Sequence, residues 1–213
     1  MLRTRRGGWA GDSIELGAKG VDEMAPVETR AVRADAQRNR ERLVTAARGA
    51  FASGEHKATL EGIARDAGVG IGTLYRHFPT REALVEAVYR AELARLCDSA
   101  AELLADLGPA DALRAWMDRF AGYVAAKRDM ADTLRVIVAA GAITTSQSRE
   151  RLAASVQVLL DAGAAAGTLR GDVLAQDVVV SLVGIFLACG PGQGEQAGRM
   201  MDLLMAGLRP GAG

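Results

Sequence analysis

The chain is poor in the residues that most catalytic and metal chemistry requires. It has 2 cysteines and 2 histidines, and aromatic residues fill only 4% of its 213 positions. Cys97 and Cys189 stand far apart and share no metal-ligand spacing, so they read as ordinary buried or half-buried thiols. His56 and His77 have no serine, cysteine and acid arrangement at a recognisable spacing, and no phosphate-cradling glycine loop accompanies them. An enzyme, a metal site and a bound cofactor are therefore not expected. Lysine is scarce as well, limited to Lys19, Lys57 and Lys127, a skew that reads as genomic bias rather than function. With 49% apolar residues and so few aromatics, the core must be built from Ala, Leu, Val, Ile and Met. That composition favours helices over strands, and an all-α fold is expected. The most apolar run, Val178 to Gly190, falls short of the roughly 20 residues a membrane-spanning helix needs. Met1 to Gly20 lacks the apolar centre of a secretory signal. These two absences predict a cytoplasmic protein.

What is present is a charge asymmetry and one dense motif. The formal net charge is +0, yet the signs are unevenly distributed. Arg30, Arg33, Arg38, Arg40, Arg42 and Arg48 precede Lys57, Arg65, Arg76 and Arg81, and together they outnumber the acids between Arg30 and Glu82; from Ala83 onward acids are in excess. A basic head on a neutral body is the footprint of a nucleic-acid reader, although the same arginines could simply solvate helix surfaces.

The motif runs from Thr59 to Phe78. Leu60, Ile63, Ala64 and Ala67 fall at i, i+3, i+4 and i+7, the apolar face of a short helix, and Thr59 stands ahead of them as an N-cap. Gly68 ends the run where positive φ is wanted, and Val69 drops into the corner between two helices. A second helix, Ile71 to Phe78, is too short to hold itself in water and must be pinned by Leu74 and Phe78. Its flanks and outer surface are then Ile71, Gly72, Thr73, Tyr75, Arg76 and His77. This is a helix-turn-helix outline, whose use is to hold a small helix against DNA.

The string Ala67-Gly-Val-Gly-Ile-Gly-Thr-Leu-Tyr-Arg-His-Phe-Pro-Thr-Arg-Glu-Ala-Leu84 resembles the signature of the TetR family of transcriptional regulators, and the detailed resemblance covers Asn39 to Leu96. It implies a homodimeric regulator that binds a palindromic operator in duplex DNA, most often as a repressor, and that leaves it on binding a small, largely apolar effector. By that resemblance Thr59, Thr73, Tyr75, His77 and Arg81 hold phosphates, while Arg76 does likewise or reaches a guanine. Gly72 lets the backbone come close. Gly70 departs from the family pattern, in which a polar residue is common there. Ile71 offers no hydrogen bond to a base edge but can touch a thymine methyl, leaving further specificity to DNA shape or a basic arm.

In chain order, residues 1–34 carry mixed charge, glycines and Pro26 without apolar periodicity and read as a disordered extension. Met24 is a second candidate start. Arg30, Arg33, Arg38 and Arg40 form either a solvated tail or a flexible arm for the adjacent minor groove. A first helix, about Asp35 to Ser53, presents Leu43, Ala47, Ala50 and Phe51. Pro79 ends the second motif helix and Thr80 caps a linking helix that runs to about Leu107, where Gly108-Pro109 stops it. Thus 35–82 is the DNA-binding head and 108–213 an effector-binding and dimerisation body.

The body reads as helices near Ala110–Lys127, Met130–Ala140, Arg149–Ala166, Leu174–Cys189 and Glu195–Leu208. The helix from Leu174 is apolar nearly all round and needs neighbours on every side: either it lies at the centre of a monomeric bundle, or its missing neighbour is its own copy in a second subunit. The resemblance places dimerisation in this last pair of helices. Trp116, Met117, Phe120, Tyr123, Met130 and Leu134 are either core or the lining of an effector pocket. A sensor or scaffold with a vestigial DNA head is the alternative from another class.

Overall fold

The computed structural model describes residues 27–52 and 58–211, with side chains from residue 32 onward. The chain divides into a short unit, Met1–Ala36, and a main unit, Gln37–Gly213. Among the described residues the secondary structure is entirely helical, as the composition demands. The order is α1 Val27–Ala52, α2 Leu60–Asp66, α3 Ile71–His77, α4 Arg81–Asp106, α5 Pro109–Asp129, α6 Ala131–Ala139, α7 Thr145–Ala165, α8 Ala175–Ala188 and α9 Gly194–Leu208.

One sequence expectation is corrected at the start of α1, which begins at Val27 rather than near Asp35. The stretch 27–34 therefore does not belong to a disordered extension. The stretch includes neither glycine nor proline, and an exposed helix, as residues 32–38 are, needs no apolar period to form. Residues 1–26, with Met24 and Pro26, and residues 53–57, with His56 and Lys57, lie outside the described residues.

In the head, Leu43, Ala47 and Phe51 of α1 share a core with Ile63 and Ala64 of α2, Leu74 of α3 and Phe78. Leu43 and Leu74 are fully enclosed, and burial of such a side chain stabilises by about 1.5–3 kcal/mol. Arg40 lays its guanidinium over the Phe78 ring, 4.6 Å from the centroid, so it is part of the head and not of a free arm.

The link to the body is α4. Thr80 caps it by accepting from the Ala83 amide at 3.1 Å. The helix then buries Leu84, Val85, Val88, Leu93 and Leu96 in turn. Glu92, buried on α4, holds Arg95 at 2.6 Å and Arg48 of α1 at 3.6 Å. Behind α4 lie α5, α6 and α7, with α8 packed on α7 and α9 on α8 and α5. Arg114 fastens α5 to α9 through Asp202 at 2.9 Å. The carbonyls at the end of α8 are met by Arg128, which donates to Phe186 and, at 2.9 Å, to Cys189. A cation suits that negative helix end.

Candidate nucleic-acid interface and ligand cavity

The helix-turn-helix is assembled by short-range chemistry. The Thr59 hydroxyl accepts from the Gly62 amide at 3.1 Å, so α2 starts on a side-chain cap. At its far end Gly68 takes φ +64. There the Gly68 amide donates to the Arg65 carbonyl and the Val69 amide to the Ala64 carbonyl, both at 2.9 Å. A β-carbon on Gly68 would lie 2.5 Å from Nη2 of Arg42, the movable end of a long side chain, so it is the positive φ and not the space that favours glycine here.

Gly70 is the extended N-cap of α3 and supplies no side-chain bond, which leaves the first amides of α3 uncapped. Leu74 and Phe78 are buried while Ile71, Gly72, Tyr75 and Arg76 face solvent; Thr73 and His77 are half-buried. Nothing lies within 4 Å of a β-carbon built on Gly72, so the fold itself has no use for a glycine there. Tyr75 and Arg76 make no hydrogen bond or ion pair among the described residues, and His77 meets only the Phe78 ring, at 6.3 Å.

Arg81 is different. It donates to the Ala58 carbonyl at 2.6 Å and sits over the Phe51 ring at 5.3 Å. It therefore ties the start of α4 to the loop before α2, a positioning role that the sequence did not disclose.

The body contains a cavity of about 550 Å³, within the range of small-molecule sites. Tyr89, Phe120, Tyr123 and Phe186 give it aromatic walls; Leu134, Val138, Ile143, Leu152 and Val183 give it aliphatic ones. Of the residues proposed from sequence, Phe120, Tyr123 and Leu134 line it. Trp116, Met117 and Met130 do not: all three are buried in the core, and the Trp116 indole donates to the Leu96 carbonyl at 3.0 Å. Their apolar, helical spacing serves packing equally well, so sequence alone could not separate the two roles.

The polar groups inside the cavity satisfy one another. Tyr123 donates to the Tyr89 hydroxyl at 3.0 Å, Tyr89 to Ser148 at 2.9 Å, and Ser148 to the Thr144 carbonyl at 3.3 Å. Burial, and then the neighbouring Tyr89, hold the Tyr123 phenol above its usual range, so it stays a neutral hydroxyl. The charged lining residues are Lys127, Arg128, Arg135 and Arg149. Sequence reasoning overlooked these cations and Tyr89, although hydroxyls on otherwise apolar faces of α4, α5 and α7 were a usable signal.

A helix-turn-helix head with a bare outer helix, joined by one long helix to an all-α body with an apolar cavity, defines a DNA-binding regulator of two parts. The chain belongs to the TetR family of transcriptional regulators: residues 43–88 match the bacterial regulatory proteins of the tetR family, and residues 108–210 match the SbtR-like transcriptional regulator C-terminal domain. The TetR transcriptional regulator SCO0520 from Streptomyces coelicolor is 50% identical over 81% of this chain and 99% of its own, with a TM-score of 0.72. A TetR transcription regulatory protein from Mycobacterium vanbaalenii is 34% identical over 84% of this chain and 99% of its own, at 0.66. SmeT from Stenotrophomonas maltophilia, at 18% identity over 81% and 91% with a TM-score of 0.55, shares the fold alone. Among proteins of curated function none matches the chain. None of the helices among the described residues is long and apolar enough to cross a membrane.

Proposed function

We propose that this regulator is a cytoplasmic repressor which binds a palindromic operator as a homodimer and leaves it when a small, largely apolar effector fills the cavity. The observation that carries the reading is the outer surface of α3, where Tyr75 and Arg76 are exposed and unpartnered among the described residues. Each subunit lays α3 in one major groove. Thr59, Thr73, Tyr75 and His77 hold phosphates together with the uncapped amides at the start of α3, and Arg76 joins them or reaches a guanine. Arg81 fixes the loop before α2 and turns its remaining donors to the same backbone. Gly70 and Gly72 let the chain approach closely, and Ile71 meets a thymine methyl.

The dimer forms through α8 and α9. Val180 and Leu187 are 59% and 81% exposed on α8, and Leu203 is 67% exposed on α9. Large apolar groups left in water on two adjacent helices suit a two-fold interface. The effector acts by population shift: Tyr89 lies in the cavity wall on the same helix that begins beside α3, roughly 12 Å from that start at 1.5 Å per residue. A ligand that fits better when α4 is tilted draws the two heads out of step with successive grooves.

Selection of fragments from a random DNA pool tests this reading. A palindromic consensus whose affinity falls steeply with salt is expected; no enrichment, with weak binding even at low salt, would sink it. On the selected site, Tyr75→Phe is expected to weaken binding about ten- to a hundredfold, the worth of a hydrogen bond to a charged group, and to do so alike on all sequences. Changes at Ile71 should instead alter sequence preference, read by repeating the selection. Gly72→Ala gives a sharper contrast. It should raise stability by about 0.5–1 kcal/mol through helix propensity, seen as a higher urea midpoint, while lowering affinity for the site. Unchanged affinity would remove Gly72 from the interface.

A further inference from the structure

The cavity is apolar within and carries charge of one sign at its edge. The charged residues that line it, Lys127, Arg128, Arg135 and Arg149, are all cationic, with no carboxylate among the lining. Two of these are already engaged: Arg128 holds the carbonyls of Phe186 and Cys189, and Arg135 pairs with Asp132 at 3.2 Å. Lys127 and Arg149 are exposed and have no hydrogen-bond or ion-pair partner among the described residues. Beside Arg149 the long helix α7 begins at Thr145, itself a lining residue, and its N-cap Thr144 makes no side-chain bond to the first amides. Those amides present the positive end of the helix to the same edge. Deeper in, the hydroxyls of Tyr123, Tyr89 and Ser148 spend their protons on one another and on Thr144, so the interior asks little polarity of its occupant.

Building on the proposal that this cavity is the effector site, we infer that it selects an amphipathic anion: a carboxylate held at the edge by Lys127, Arg149 and the start of α7, with an apolar chain or ring body among Phe120, Leu134 and Phe186. A cationic amphiphile would meet the unpaired Lys127 and Arg149 with no carboxylate in the lining to hold it. A neutral one would fill the interior but leave Lys127 and Arg149 unused.

The test compares probes of matched chain and different head: the carboxylates octanoate to tetradecanoate, the corresponding primary alcohols, and the corresponding alkyltrimethylammonium ions, titrated calorimetrically into the full-length protein. Carboxylates are expected to bind at least tenfold more tightly than alcohols of the same length, and the ammonium ions most weakly. In the double variant Lys127→Gln, Arg149→Gln the carboxylate advantage should vanish while alcohol binding stays as in the wild type. Raising salt should shrink the advantage in the wild type alone. Alcohols binding as tightly as carboxylates, or a preference that survives the double substitution, would overturn the anion assignment and leave the cavity standing as an effector site. No binding by any probe would overturn both.

Discussion

Trp116→Ala is expected to remove about 3–5 kcal/mol of stability, the range for truncating a large buried aromatic. Trp116 is 0% exposed on α5, its ring lies 5.8 Å from that of Phe120, and its indole donates to the Leu96 carbonyl, which also accepts from Ser99 at 2.7 Å. Truncation empties the space between α4 and α5, helices of 26 and 21 residues, and removes one of the bonds that fix their register. The neighbours cannot collapse fully into a hole of that size, because interiors are close-packed and the flanking Leu113 and Met117 are themselves fully enclosed. For a protein with a few kcal/mol to spare, a loss of this size brings the native state near its limit. Urea unfolding checks it, with the change read from the midpoint at constant slope. A loss below about 1 kcal/mol would mean that Trp116 faces open space, and would return it to the cavity lining that its sequence neighbourhood allowed.

That contrast shows where sequence reading runs out. The helix-turn-helix was legible because its parts are local: Thr59 caps the residues just after it, Gly68 turns where it stands, and the apolar steps from Leu60 to Ala67 are read on one helix. The cavity was not, because its outline depends on how five helices splay apart. Trp116 and Phe120 are one turn apart on the same apolar face, yet one is sealed against α4 and the other borders empty space. The long reach of α1 was not legible for the converse reason, since apolar periodicity marks a helix that packs and an exposed one has none. Arg81 was legible as a cation at a helix start, but its contact with Ala58, 23 positions earlier in the chain, is tertiary and left no mark in the sequence.

Leu74→Ala should cost about 2–5 kcal/mol and abolish operator binding while leaving the cavity intact. The reason is the size of α3. A helix of 7 residues has little stability of its own, and Leu74 is its sole fully buried side chain, with Phe78 just beyond the end. Removing the isopropyl end of the leucine leaves one aromatic as the main hold on the element. The loss then falls first on the local equilibrium that opens α2 and α3, not evenly on the whole molecule. Head and body form one continuous core through α4, but α5, α7 and α8 contribute Leu113, Phe120, Val156, Leu159 and Leu182 to it, none of which comes from the head. Hydrogen exchange should therefore quicken at the amides of 60–78 by a larger factor than in α5 or α7. DNA titration should show binding lost at every salt concentration, while decanoate, if the cavity takes it, binds as in the wild type. Uniform acceleration across head and body would mean that the two unfold as one cooperative unit. In that case α4 couples them more tightly than packing alone requires, and a lever from Tyr89 to α3 would have a rigid helix through which to act.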